Sequence, residues 1–238
     1  MKHGLFITAT DTGVGKTVIA AALAMALRRL NVNVGVMKPV ATGCVRRREG
    51  LVSEDAEFLA QAADAPETLD EICPIRLAVP LAPTVAAARA RITLDLEPMW
   101  AAWRRMTAAH DVMIVEGIGG LLCPVTREQT VADLAREFAL PLVIVARPNL
   151  GTINHTALTV EAARARGLTI AGIIINRYDR DTEDVAQLTN PDEIQRVTGA
   201  AVLGLVPEDR ATDPGCAVIG EDTLAAIRQM AWGKWLPL

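Results

Sequence analysis

Six apolar runs of strand length recur along the 238 residues: GLFITA (4–9), NVGVMKPV (33–40), VMIVEG (112–117), PLVIVA (141–146), LTIAGIIIN (168–176) and AAVLGLV (200–206). They are rich in Val and Ile and nearly continuous, which is the pattern of strands covered on both faces. Helical patterns lie between several of them: KTVIAAALAMALRRL (16–30), LEPMWAAWRRMTAAH (96–110), VADLAREFA (131–139) and INHTALTVEAARARG (153–167). Basic residues in the last turns mark helix ends, and Gly167 reads as a stop. Alternating strands and helices predict an α/β fold, a mostly parallel central sheet with helices on both faces. Residues 41–95 break the rhythm with a helical DAEFLAQAA and a Pro-containing AVPLAPTVAAARA. With no repeat, low-complexity tract or linker in view, one domain over 1–238 is expected.

The composition narrows the classes of function. A net charge of −4 argues against a dedicated nucleic-acid binder, and 3% aromatics are too few for a base-stacking platform. No apolar run reaches the roughly 18 residues of a membrane span, and the N-terminal apolar run is too short for a signal peptide. The expected partners therefore include neither nucleic acid nor membrane. Cys44, Cys73, Cys123 and Cys216 form no C-x-x-C pair and stand apart from the histidines. They read as free thiols, with zinc as the alternative, and point to a reducing cytoplasm.

The stretch ATDTGVGKT (9–17) carries the chemistry. It follows a predicted strand and opens a predicted helix, the context that gives a phosphate-binding loop meaning. Gly13 and Gly15 let the backbone turn with its N–H groups aimed inward, and these join the helix N-terminus as a nest for phosphate oxygens. Lys16 can reach the β- and γ-phosphates, and the Thr17 hydroxyl can ligate Mg²⁺. The usual G-x-x-x-x-G-K-[ST] spacing would put its first Gly at Thr10.

Other candidates stand at strand ends, where an open parallel sheet binds its ligands. Glu116 closes VMIVE, and beside such a loop a metal ligand is favoured over a solvated acid. Lys38 closes VGVMK, with Thr42 and Gly43 beyond it; a ligand contact and a solvated lysine are equally good readings. Asn176 closes IAGIIIN and could read a base edge or make a turn. Asp55 falls in the first turn of a helix capped by Ser53, where a carboxylate is stabilised in any case, and on spacing alone that reading wins. Arg46, Arg47 and Arg48 read as a solvated loop, Trp100 and Trp103 as packing, and His155 as a helix-start residue at a surface or an interface. The C-terminal WGKWLPL reads as a core cap or an interface.

Together these segments resemble the dethiobiotin synthase family: TDTGVGKT (10–17), KPVATG (38–43), EDAE (54–57), VEGIGG (115–120), LGTINH (150–155), IINR (174–177) and LGLVP (203–207), in family order over nearly the whole chain. The family loop is one residue longer than the usual pattern, so its first Gly falls at Ala9, where a methyl fits if φ is negative. The resemblance implies a P-loop NTPase-like fold and a homodimeric ligase. Such an enzyme joins CO2 across the two amines of 7,8-diaminononanoate, with ATP as co-substrate and Mg²⁺ as cofactor. It implies that Lys16 and Lys38 are catalytic, and that Thr17, Asp55 and Glu116 hold the metal, which reverses the bland reading of Asp55. The nucleotide would meet Asp11, Thr12, Gly13, Val14, Gly15, Lys16, Thr17, Val18, Asn176 and Pro207. The substrate would meet Thr12, Lys38, Thr42 and Gly119, with its tail carboxylate on Gly151, Thr152, Ile153 and Asn154 of the neighbouring subunit. An acid for the ribose would follow Pro207, with Glu208, Asp209 and Asp213 all in reach. Relatives with Pro-His have Pro83-Thr84 here.

Two rival readings share the loop. Partition-type ATPases carry a signature Lys where Asp11 stands, and cobyrinate-type amidoligases add a glutaminase domain for which this chain has no length.

Overall fold

The structure, a computed structural model, describes residues 3–48 and 50–236. Its strands are β1 (His3–Ala9), β2 (Val34–Met37), β3 (Val40–Thr42), β4 (Val45–Arg47), β5 (Gly50–Val52), β6 (Ile75–Leu77), β7 (Val112–Glu116), β8 (Leu142–Ala146), β9 (Ile170–Tyr178) and β10 (Val202–Pro207). Its α-helices are α1 (Lys16–Arg29), α2 (Glu54–Ala63), α3 (Leu69–Ile72), α4 (Pro83–Ala90), α5 (Glu97–Ala109), α6 (Val131–Phe138), α7 (Thr152–Arg164), α8 (Val185–Thr198) and α9 (Glu221–Arg228).

The central sheet has six strands in the order β10-β9-β8-β1-β7-β2, and every pairing is parallel. The predicted burial of both faces holds for β1 beyond His3, β2, β7, β8 and the middle of β9, whereas β10, at the sheet's edge, is only half-buried from Val202 to Leu205. On β8, Val143 and Val145 face one core while Ile144 and Ala146 face the other. On β9, Ile174 joins the first core, and Ile173 and Ile175 join the second. The two-residue period thus feeds two layers, one under α1, the other under α7 and α8. β1 lies inside the sheet with all residues but His3 buried, so the turn that follows it emerges at the middle of the ligand edge. Close approach needs Gly4, where a Cβ would sit 2.2 Å from the Met113 carbonyl oxygen on β7.

The run NVGVMKPV does not form one strand. Pro39 has no N–H for a ladder, so β2 stops at Met37, and Val40 opens β3, which pairs with β6 in a separate two-stranded sheet. The break leaves Lys38 beyond the main sheet's edge, its backbone N–H donating to Ile72 O at 2.8 Å. The AVPLAPTVAAARA stretch forms α4 with Pro83 in its first turn, where a missing N–H costs nothing. Helices α8 and α9 had no clear sequence signal. Pro191 lies within α8, which is buried only at Asn190, Ile194 and Thr198.

Trp100 and Trp103 pack on Phe138, each with ring centroids 4.8 Å from it; Trp103 is a buried core residue and Trp100 packs half-buried against the core. Arg46, Arg47 and Arg48 are exposed. All four cysteines are free thiols. In the C-terminal segment Trp232 and Leu236 are buried, capping the core, and the last two residues lie outside those described. Among the described residues no helix is long and apolar enough to cross a membrane.

Candidate active site

The turn after β1 carries out what its glycines allow. Gly13 has φ 79° and Gly15 φ 94°, both left-handed. Gly15 is the N-cap of α1; no side chain caps the helix and no acid sits in its first turn. The leading N–H groups and the positive end of the helix dipole are therefore left for an anion. Ala9 lies in β1, fully buried and outside the positive-φ region, so its methyl fits at the place the resemblance assigns to a Gly. Asn176 anchors the turn from β9: its Nδ2 donates to Val14 O at 2.9 Å, and a Cβ on Gly15 would sit 2.1 Å from that nitrogen.

Lys16 is 7% exposed and makes no hydrogen bond or ion pair among the described residues. Burial lowers its pKa, opposed by Glu116 and aided by Lys38. An unpaired ammonium at the mouth of an anion nest is primed for phosphate.

Next to it sits a compact charged cluster. Lys38 Nζ lies 2.6 Å from Glu116 Oε1, 2.8 Å from Asp55 Oδ2 and 3.4 Å from Gly117 O, so each ammonium proton has an acceptor. The Thr17 hydroxyl has one proton to give and stands 2.9 Å from Glu116 Oε1 and 3.1 Å from Asp55 Oδ1. Burial alone would lower the Lys38 pKa, but Glu116 and Asp55 hold it above the ordinary lysine value. Burial raises the Glu116 pKa and outweighs the pull of Lys38. For Asp55, burial is outweighed by Lys38 and by the hydrogen bonds from Lys38 and Thr17, and the carboxyl is held below its usual range. Asp55 is a first-turn residue beside its Ser53 cap, as its spacing says, and it also reaches the cluster.

A cavity of about 370 Å³ opens over these groups. Of the residues singled out from the sequence, Thr12, Gly13, Gly15, Lys16, Thr17, Val18, Lys38, Thr42, Asp55, Glu116 and Gly119 line it. Glu116 Oε2 is buried without a partner, and two carboxylates with a hydroxyl are the hard oxygen donors a divalent cation takes. The residues present fit Mg²⁺. A larger cavity of about 750 Å³ lies by Trp100 and Arg127, but none of these chemical groups reaches it.

Relatives put a name to this arrangement. The family described as AAA domain matches residues 3–215. The chain is 45% identical over 205 residues to the ATP-dependent dethiobiotin synthetase BioD of Anaeromyxobacter sp. (strain K), covering 86% of this chain and 90% of that protein. It is 43% identical to the protein of the same name from Bacillus cereus (strain B4264), covering 86% and 83%. A third, from Thermodesulfovibrio yellowstonii, is 38% identical, covering 87% and 89%. The chain belongs to the dethiobiotin synthetase family. Among solved structures, the septum site-determining protein MinD with Mg-ADP from Pyrococcus horikoshii OT3 matches with TM-score 0.61 at 17% identity, covering 96% of this chain and 93% of that one. A ParA family ATPase from Chlorobium tepidum matches with TM-score 0.56 at 16% identity, covering 96% and 91%. These two share the fold.

Not every residue carried over from the family faces the same cavity. Asp11 opens onto a neighbouring groove of about 440 Å³, walled by Leu121, Leu122, His155 and Leu158, which shares Thr12 and Gly119 with the first. Gly151, Thr152, Ile153 and Asn154 line neither; Gly151, at φ 92°, caps the N-terminus of α7 without a side-chain bond. Pro207 ends β10, and its neighbours divide by use. Asp209 accepts from the backbone of Ala211 and Thr223, and Asp213 from that of Gly215 and Cys216. Glu208 is exposed and its carboxylate has no partner among the described residues. The cavity also holds Ile118, Arg177 and Pro214, which the sequence did not single out.

Proposed function

We propose that this chain is the ATP-dependent ligase that closes 7,8-diaminononanoate and CO2 into the cyclic urea dethiobiotin, releasing ADP and phosphate. It acts as a single P-loop domain in a cytoplasmic homodimer. The observation that carries the reading is the convergence of Lys16, Lys38, Thr17, Asp55 and Glu116 on one cavity in a chain so similar to the named synthetases.

A substrate amine adds to CO2 and loses a proton, giving a carbamate. A carbamate oxygen then attacks the γ-phosphorus and ADP leaves, giving a carbamic–phosphoric anhydride. The second amine attacks the carbamoyl carbon, the C–O bond to phosphate breaks, and the ring closes. The chain's own part is to hold charge and position. Lys16 neutralises the phosphate being transferred, and Lys38, with Thr12, Thr42 and Gly119, orients the carbamate. Thr17, Asp55 and Glu116 would hold Mg²⁺, which would supply further positive charge for phosphoryl transfer. The backbone from Asp11 to Val18 cradles the phosphates, and Asn176 and the chain near Pro207 border the base, with Glu208 the free acid for the ribose. The α7 N-terminus of a second copy, at Gly151, Thr152, Ile153 and Asn154, takes the substrate's tail carboxylate. Exposed Leu122, Leu150 and Leu158 support a contact between copies on that side.

The test is phosphate release from Mg·ATP. Release that needs both 7,8-diaminononanoate and bicarbonate, with a product of dethiobiotin's mass, supports the ligase. Slow hydrolysis indifferent to both would favour a nucleotide switch.

A further inference from the structure

Arg177 owes its place to an irregularity in its strand. In the β9–β10 ladder Val206 pairs with Asn176 and the next residue, Pro207, pairs with Tyr178, so Arg177 is an extra residue, a β-bulge. Its φ is 59°, in the left-handed region that arginine rarely enters. In a regular strand, consecutive side chains leave on opposite faces. Here Asn176 touches the phosphate loop and Arg177, one residue on, lines the cavity over that loop. Re-aiming a side chain is what a bulge beside a site does. The guanidinium is exposed and has no hydrogen bond or ion pair among the described residues.

Strand order says which part of a ligand it meets. Lys38 and Glu116 follow β2 and end β7, on one side of β1 and its loop. Arg177 is on β9, on the other side, two strand positions from β1, or roughly 10 Å. With the phosphates in the nest after β1 and the transferred phosphate toward Lys38, the opposite end of the ligand runs toward β9. That end of a nucleoside triphosphate is its base. Pro214, from the loop after β10, lines the same cavity, so a planar guanidinium and a proline ring offer two apolar-faced surfaces for a flat heterocycle.

We propose that Arg177 is a base-contacting residue that stacks its guanidinium plane on the base of the bound nucleoside triphosphate. This rests on the nucleotide reading of the cavity given above. The test compares the affinity of the full-length protein for Mg·ATP and for magnesium tripolyphosphate, which has the phosphates and no base. Arg177→Asn is the main variant, because asparagine tolerates the left-handed backbone. Arg177→Lys keeps the charge and removes the plane.

Arg177→Asn is expected to weaken Mg·ATP about tenfold. It should leave tripolyphosphate within about twofold, and Arg177→Lys should resemble Arg177→Asn. An equal loss for both ligands would place Arg177 on the phosphates and overturn the proposal. So would unchanged Mg·ATP affinity, or full rescue by lysine. A wild-type protein that does not bind Mg·ATP at all would instead defeat the nucleotide reading, and this inference with it.

Discussion

Replacing Lys38 by Met separates what this lysine does for the fold from what it does for turnover. Lys38 and Glu116 are 3% and 1% exposed and 2.6 Å apart. Removing one partner of such a buried pair costs about 3–5 kcal/mol, because the other charge stays behind without water. Asp55 is 48% exposed, so its contact adds little. We take about 3 kcal/mol at pH 8. At roughly 2–4 °C per kcal/mol for a chain of this size, the midpoint falls by about 6–12 °C. The sign of the pH dependence follows from Glu116, whose pKa burial raises even with Lys38 present. Without the ammonium it rises further. A carboxyl with a raised folded pKa contributes fully below its unfolded pKa, and that contribution is lost as pH climbs through the folded value. The deficit of Lys38→Met should therefore shrink in acid and grow toward pH 8. Adding Glu116→Gln removes the stranded charge and should restore most of the stability while turnover stays down by orders of magnitude. Calorimetry between pH 4.5 and 8 reads all three proteins. A single variant as stable as wild type at pH 8, or a double variant as unstable as the single, would refute the reasoning.

Three further outcomes are expected. Gly15→Ala meets both a left-handed φ and Asn176 Nδ2 at 2.1 Å, so Mg·ATP affinity should drop at least about tenfold by titration calorimetry while far-ultraviolet dichroism is unchanged. Ala9→Gly adds only backbone entropy at a buried strand end; turnover should stay within about twofold and stability fall by about 0.5–1 kcal/mol in urea titration. Gly4→Ala drives a methyl to 2.2 Å from a backbone oxygen of β7, and should cost more than about 4 kcal/mol, seen as a collapsed melting transition or loss of soluble protein.

The central sheet was legible because its strands are buried on both faces, so Val and Ile run on without polar interruption. The short β3 and β6 were not, since three residues carry no period, and only Pro39 hinted at the break. Helix α8 was hidden by Pro191 and by a surface too polar to show a stripe. In the site, Lys16 and Thr17 follow from spacing and Glu116 from its strand end beside the loop, while position alone left Lys38 even between ligand contact and solvent and the family resemblance decided it. Asp55 was ambiguous for a physical reason: the same carboxylate that suits a helix's first turn also reaches Lys38, and local sequence reports only the first. Arg177 stood in the IINR segment, but its re-aimed side chain could not be read there, because a bulge arises from the match between two strands 30 residues apart in the chain and not from either alone.

Placing β1 inside the sheet sets the order in which the protein can be assembled. Residues 3–9 are made well before their partners, residues 112–116 and 142–145. A growing chain must hold an apolar strand without a ladder until β8 has left the ribosome, on the order of ten seconds at ordinary elongation rates. Contacts of such long sequence separation are closed slowly, and the phosphate loop has no fixed geometry until they close. The nucleotide site is thus encoded more than a hundred residues before the strands that complete it exist. Any fragment that ends before residue 146 should carry the loop's sequence without its binding.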